Sequence, residues 1–402
     1  EPHLSKETQV FTRAHVDMYD FDGLSAYASP QQDPTSTGPE RDTYRGRWGG
    51  VEARVQYSID KLRLMAGGEG IYHFQTLQLG DTDTQPVVFD NNGNAGRNDP
   101  FAVAAGYVNA DIVPTEKFKI SAGTRLDYYS SIARFDFLDA FNPRIAFILK
   151  PTKTDTLKIM GGKAFRAPSV YEVYYQSTTQ TRSGVGSDAL TSEQILSGEV
   201  EYSHHFSTTV TGLVTGYANY VSNLIELNNL ANGHQQYQNS NNPIFVLGAE
   251  AELRREWRQG WMLAASATIS RAGFVEGGCI GLTKTCGVLG QVPNSPLVLG
   301  SLKGAMPIVG RQLMLMSRMS FEGPRFDNAI AAQTGAQQQT TDPGVVWDIV
   351  FSGEVESLGV RYAVGAYNVM DWQYQAIPSV EFAQRVIPQP GRTFLASIGA
   401  SF

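Results

Sequence analysis

Phe141-Asn142-Pro143-Arg144-Ile145-Ala146-Phe147-Ile148-Leu149-Lys150 decides the fold, together with the residues that answer it across a turn at Pro151-Thr152-Lys153-Thr154-Asp155. The return runs Thr156-Leu157-Lys158-Ile159-Met160 and ends in Gly162-Lys163-Ala164-Phe165-Arg166-Ala167-Pro168-Ser169-Val170-Tyr171-Glu172. Ile145, Phe147 and Leu149 point one way, and Arg144, Ala146 and Lys150 the other. A side-chain period of two is that of a strand, because successive Cβ atoms leave a pleated chain on opposite faces. The stretch reads as a hairpin of two half-exposed strands.

Working outward, the same alternation recurs along the chain. Tyr44 to Tyr57 places Val51, Ala53, Val55 and Tyr57 opposite Glu52, Arg54 and Gln56; Ser58-Ile59-Asp60 turns; Lys61 to Gln75 alternates again. Lys117 to Tyr129 is the clearest strand, with Phe118, Ile120, Ala122, Leu126 and Tyr128 on one face and Lys117, Lys119, Ser121, Arg125 and Asp127 on the other. Thr8 to Tyr19 opens the series and Thr393 to Phe402 closes it. Tight turns such as Arg258-Gln259-Gly260 and Val309-Gly310-Arg311 alternate with long polar connections at about residues 79–99, 166–191, 226–243, 275–293, 324–342 and 374–388. The total is about sixteen strands, the pattern of a membrane barrel with short turns at one end and long loops at the other. Lipid accounts for the apolar face and a water-filled lumen for the polar one. Tyr57, Tyr72, Phe74, Tyr128, Tyr202 and Tyr220, near strand ends, suit the interfacial girdles of such barrels.

Composition agrees. The 402 residues include 40 glycines, charge is 18% and the net balance is −7, so an acidic chain without basic clusters is a poor partner for nucleic acid. No apolar run reaches the length of about 18 residues that a helical span needs, which leaves strands as the only way across a bilayer. Cys279 and Cys286 lie close together in a Gly-rich connection, and in an oxidising compartment they are expected to pair; two unpaired thiols are the alternative. Glu1-Pro2-His3-Leu4 has neither the basic start nor the apolar core of a secretory signal, and the chain does not begin with Met; a processed product or a piece of something longer is expected.

Four places resemble the TonB-dependent outer-membrane receptors. Ala104-Ala105-Gly106-Tyr107-Val108-Asn109-Ala110-Asp111 is similar to the family's Ala-Tyr-Val-Gln-Asp strand, with Asn and Ala in place of Gln and Asp. Asn142-Pro143-Arg144 and Phe165-Arg166-Ala167-Pro168-Ser169 are the second and third. Asn368-Val369-Met370-Asp371, followed by Ile387-Pro388-Gln389-Pro390-Gly391-Arg392-Thr393-Phe394, resembles the family's Asn-Leu-Phe-Asp and Pro-Gly-Arg boxes. The resemblance implies a twenty-two-stranded antiparallel up-and-down barrel, all-β, filled by an N-terminal plug. Residues 1–402 then correspond to the C-terminal portion of that barrel, without the plug and about six strands, and short turns face the periplasm. Phe394, Ala396, Ile398, Ala400 and Phe402 share a face, and a terminal aromatic is similar to the signal read by the barrel assembly machinery.

The function so implied is uptake of a scarce ligand, a siderophore-bound iron, a cobalamin or a similar molecule, by a monomeric receptor in the outer-membrane lipid, driven by TonB through the plug. No cofactor and no catalytic residue are assigned, since no nucleophile, histidine and acid converge at strand ends. Tyr171, Tyr174, Tyr175, Gln176 and Arg182 follow the Arg-Ala-Pro-Ser box and are candidates for lining the ligand mouth; a packed loop is the competing reading. Arg144 and Arg166 are placed on the lumen side, where pairing with carboxylates such as Glu199 or Glu201 competes with ligand contact. Asp81-Thr82-Asp83 and Asp90-Asn91-Asn92-Gly93-Asn94 offer oxygen ligands of the kind Ca²⁺ takes but lack EF-hand spacing, so no metal is assigned. Two other architectures of function stay open: a plug-less barrel anchoring an envelope assembly, and a complete sixteen-stranded diffusion porin.

Overall fold

The computed structural model describes residues 7–28, 37–82, 86–87, 98–132, 136–174, 190–230, 235–256, 260–275, 288–326, 340–377 and 386–400. Eighteen strands join one antiparallel sheet, and sixteen of them are eight residues or longer. Each long strand with a described register pairs with the next long one along the chain, from Thr8–Ala28 on Thr37–Ile59 to Val360–Tyr367 on Thr393–Ala400. The all-β, up-and-down reading and its strand count are borne out. Among the described residues no helix is long and apolar enough to cross a membrane, which says nothing about strands.

The chain divides into two compact units. The first comprises Glu1–Phe147, Met160–Leu196 and Val221–Pro243; the second comprises Ile148–Ile159, Ser197–Tyr220 and Ile244–Phe402. In the first, Leu64, Tyr72, Phe74, Val108 and Tyr128 are exposed on one face. On the other, Tyr107 donates to Glu52 Oε1 at 2.5 Å, and Arg125 donates to Glu69 (2.9 Å) and Asp127 (2.8 Å). Alternation therefore segregates whole side chains, apolar against charged, across four neighbouring strands. In the second unit Leu253, Leu263, Ile269, Leu302, Met319, Phe321 and Val364 are exposed on the apolar face, with Ser266, Ser301, Ser320, Lys303 and Arg318 on the opposite one. Exposed aliphatic side chains in such number have no soluble rationale, and lipid supplies one.

The short turns rest on backbone handedness. Asp60 (φ 40°), Gly260 (φ 88°), Gly310 (φ 49°) and Gly359 (φ 60°) sit at four of them, in the left-handed region that Gly enters without a Cβ penalty and Asp tolerates. In the Gly310 turn Gln312 N donates to Val309 O at 2.9 Å.

Several expectations need correction. The first three strands do not stop where apolar alternation fades near Tyr19, Tyr44 and Gln75; they run Thr8–Ala28, Thr37–Ile59 and Leu62–Thr82, 21, 23 and 21 residues long. A membrane crossing takes about 9–11 residues, so roughly ten more extend beyond it. Cross-strand charge carries the ladder onward: Arg41 makes two bonds to Asp22 (2.9 and 2.6 Å), Arg47 reaches Asp20 (2.7 Å), and Phe21 stacks on Tyr44. Alternation of apolar residues reports burial in lipid, and strand pairing outlasts it. The long connections also hold structure of their own. The connection at about 226–243 is built on a separate hairpin that begins one residue earlier, Ile225–Asn229 on Gln235–Asn239, and the connection at 275–293 contributes Val288–Gln291 to the main sheet. Gln375–Ala376 pairs with Ile387–Pro388, and helix Phe137–Ala140 precedes the hairpin that began the sequence reading. Cys279, Cys286, the Asp90–Asn94 cluster and Phe402 lie outside the described residues.

Candidate functional site

Where the strand Asp155–Arg166 ends, the chain enters its long connection through a fastening built around one guanidinium. Arg166 Nη1 and Nη2 donate to the two oxygens of Glu172, each at 2.9 Å, and Nε donates to Glu193 Oε2 at 2.6 Å. The fork of a guanidinium matches a carboxylate edge, so one side chain fixes two others in direction as well as distance. Glu172 belongs to helix Val170–Tyr174, and Ser169 precedes it. Ser169 N donates to Glu172 Oε2 (2.7 Å) while Glu172 N donates to Ser169 Oγ (3.2 Å), a reciprocal capping box that satisfies two amides at the helix start. Glu193 in turn accepts Ile225 N on its other oxygen at 2.9 Å, which ties in the Ile225–Asn229 hairpin. Pro168, between Arg166 and the helix, is fully buried.

Under this charged fastening lies an apolar cluster of Phe101, Val103, Ile132, Val173, Tyr174 and Leu190, with Val170, Ile225 and Tyr237 packed against it. His73 stacks between Trp48 and Phe101, at 5.5 and 4.2 Å between ring centroids, and Tyr129 meets Phe165 edge-on. The described ends of this connection, Ser169–Tyr174 and Leu190, are thus docked on an aromatic shelf by burial, with ion pairs fixing the first of them.

The sequence-derived residues are distributed unevenly across this arrangement. Tyr174 is 8% exposed and its hydroxyl lies 3.5 Å from Ser131 O, so it serves the packing. Tyr171 is half-buried, edge-on to Tyr237 at 6.1 Å. Arg144 is exposed, with one long bond to Asn109 Oδ1 (3.4 Å). Tyr175, Gln176 and Arg182 lie outside the described residues. Arg166 does pair with carboxylates, but with Glu172 and Glu193; Glu201 engages Lys158 instead, at 2.6 Å. The sequence reading missed Glu172, although Ser169-Val170-Tyr171-Glu172 carries the S-x-x-E capping signature that could have found it. Nothing local signalled Glu193, which lies 27 positions from its partner. Among the described residues no cluster of His, Cys, Asp and Glu is arranged to hold a metal ion.

The second unit contains a fastening of another kind. Asn368, 3% exposed and at φ 51°, accepts Trp372 N on Oδ1 (2.9 Å) and donates from Nδ2 to Trp372 O (3.0 Å). Asp371 Oδ1 accepts Arg392 N at 2.8 Å, and Arg392 Nε donates to Val369 O at 2.9 Å. The two C-terminal boxes of the sequence therefore grip each other. A Cβ on Gly391 would stand 2.5 Å from Asp371 Oδ1, which is why the Pro-Gly-Arg box needs its glycine.

Comparison with known proteins adds the context. Residues 8–303 match the family model described as TonB dependent receptor-like, beta-barrel. No curated protein matches. Among solved structures, the ferripyoverdine receptor of the outer membrane of Pseudomonas aeruginosa superposes with a TM-score of 0.70 at 13% identity, over 97% of this chain and 53% of that one. The ferric-catecholate import receptor Fiu of E. coli K12 gives 0.68 at 14%, over 98% and 62%. The siderophore receptor PirA of Acinetobacter baumannii gives 0.70 at 15%, over 99% and 61%. At such identities these likenesses establish the fold, and the chain spans less than two thirds of the length of these receptors, from 53% to 62%.

Proposed function

The chain belongs to the TonB-dependent receptor-like β-barrel family, and from that premise we propose that it forms the barrel wall of an outer-membrane receptor importing a scarce ligand, such as a siderophore-bound iron or a cobalamin, with energy from TonB transmitted by a plug domain. No catalytic step enters this reading. One observation carries it: the Arg166–Glu172–Glu193 fastening holds the Tyr171 segment and the Ile225–Asn239 region on an aromatic shelf at the long-connection end of the strands. A diffusion pore gains little from so firmly docked an entry to the connection, whereas a receptor gains from having residues such as Tyr171 ordered before the ligand arrives, because ordering them afterwards would cost affinity. Arg144 and Tyr171 are the described candidates for ligand contact, with Tyr175, Gln176 and Arg182 following in sequence.

Cells producing the protein from its full gene are given radiolabelled ferric siderophores and cobalamin, with and without functional TonB. Saturable accumulation of one ligand that disappears without TonB is the expected result. Accumulation indifferent to TonB, together with steady conductance of the purified protein in planar bilayers, overturns the reading in favour of a pore.

A further inference from the structure

The arm that the first three strands raise past their membrane crossing has two unlike faces. Trp48 and Glu52 lie four apart on one strand, so the polar face that carries Glu52 continues outward through Trp48, and register adds Asp17, Tyr19 and Phe21 from the first strand. Tyr19 is 50% exposed and Phe21 43%. Lipid accounts for exposed aromatics on the opposite face, such as Tyr72 and Phe74, and cannot account for these. Phe21 stacks on Tyr44 at 5.7 Å between ring centroids, and Trp48 stacks on His73 at 5.5 Å. Gly46 stands between the two stacks, opposite the exposed Tyr19, and a Cβ there would come to 3.0 Å from the Trp48 ring. Two ring pairs thus flank a glycine floor.

The polar groups on this face are acceptors. Asp17 is exposed, and its ion pair among the described residues is with His15, at 3.5 Å. Asp42 accepts a hydrogen bond from Tyr44, while burial pushes its carboxyl up. Gln78, opposite Tyr44, is 8% exposed, and its Oε1 has no hydrogen-bond partner. A buried acceptor without a donor is costly, and an incoming N–H would relieve it. From Asp17, Trp48 and His73 outward, no described side chain on this face of the three strands is Lys or Arg. Arg41, Arg45 and Arg47 all stand on the other face, beside Asp20 and Asp22. Ring faces carry the negative end of the aromatic quadrupole, so rings and acceptors without a fixed guanidinium or ammonium among them attract a positive group that has N–H donors.

We propose that this face binds the cationic head of a small ligand, an ammonium or a guanidinium, with Tyr19, Phe21 and Trp48 supplying ring faces and Asp17, Asp42 and Gln78 the acceptors. Recognition of a cation rests on the reading of this chain as a receptor, but binding by the chain itself needs no TonB, so either can fail without the other.

The test is equilibrium dialysis of the protein, purified in detergent from its full gene, against four labelled probes at about 0.15 M salt. Phenylguanidinium and benzylammonium are cations, phenylurea has the shape of the first without its charge, and benzenesulfonate is an anion. One saturable site for the cations is expected, the tighter of the two identifying the head group. Phenylurea should bind about tenfold more weakly than phenylguanidinium, and benzenesulfonate should not be retained. Phe21→Leu and Asp17→Asn should each weaken cation binding by about threefold. Asp20→Asn, on the opposite face, should leave it unchanged. Heat-resistant migration confirms that each variant is folded, and Tyr19→Leu replaces Phe21→Leu if that variant fails to fold. No saturable cation binding, equal retention of phenylurea, preference for benzenesulfonate, or folded Phe21→Leu and Asp17→Asn variants that bind like the parent would each overturn the proposal. TonB-dependent uptake alongside any of these results would leave the receptor reading intact.

Discussion

The Arg166 fastening and the Asn368–Arg392 fastening each anchor the entry to a long connection, by opposite means. In the first, a guanidinium spans two carboxylates and the backbone around it is ordinary. In the second, Asn368 and Asp371 sit at φ 51° and 53°, and five bonds run from or to main-chain groups. Side-chain charge gives strength that depends on partners remaining ionised and unscreened, and Arg166 is 46% exposed. Backbone geometry and the neutral Asn368 amide give strength less dependent on charge but intolerant of shape. Two boxes that look alike as sequence signatures therefore fail in different ways.

The largest separation should come from Asn368→Ala. It removes the amide bonds to Trp372 and leaves in the left-handed region a residue without the local side-chain bonds that let Asn tolerate it, for a loss of roughly 2–4 kcal/mol. Asn368→Gly keeps the backbone and loses only the bonds, so unfolding midpoints in detergent should place it between the two; an equal loss for both would mean that handedness contributes nothing. Arg166→Ala comes next, at about 2 kcal/mol after solvent screening. A double-mutant cycle with Glu193→Gln should show coupling above about 0.5 kcal/mol, and additivity would dissolve the fastening as a unit. Gly391→Ala, a purely steric insult beside Asp371, should cost about 1–2 kcal/mol, and pairing it with Asp371→Ala should restore tolerance of the methyl group. The smallest effect is the most discriminating. In 1 M salt, where screening acts within about 3 Å, the penalty of Arg166→Ala should shrink while that of Asn368→Ala stays put. Parallel behaviour of the two would erase the distinction between them.

Side-chain alternation by itself determined that this chain is a set of about sixteen antiparallel strands with an apolar and a polar face, because a pleated strand exposes its period directly in the sequence. Leu126 against Arg125, or Leu302 against Lys303, needs no coordinates to sort. The short turns were equally legible at Gly260, Gly310 and Gly359, where handedness selects the residue. Tertiary structure alone decided how far the first three strands run past their apolar stretch, since Asp22 and Arg41 find each other only through register. It alone chose Glu193 as the partner of Arg166, joined Asp371 to the Arg392 backbone, and set Ser266, Ser301 and Ser320 side by side. Those choices depend on which residues meet across strands, and a period of two says which face a side chain takes without saying what stands opposite it.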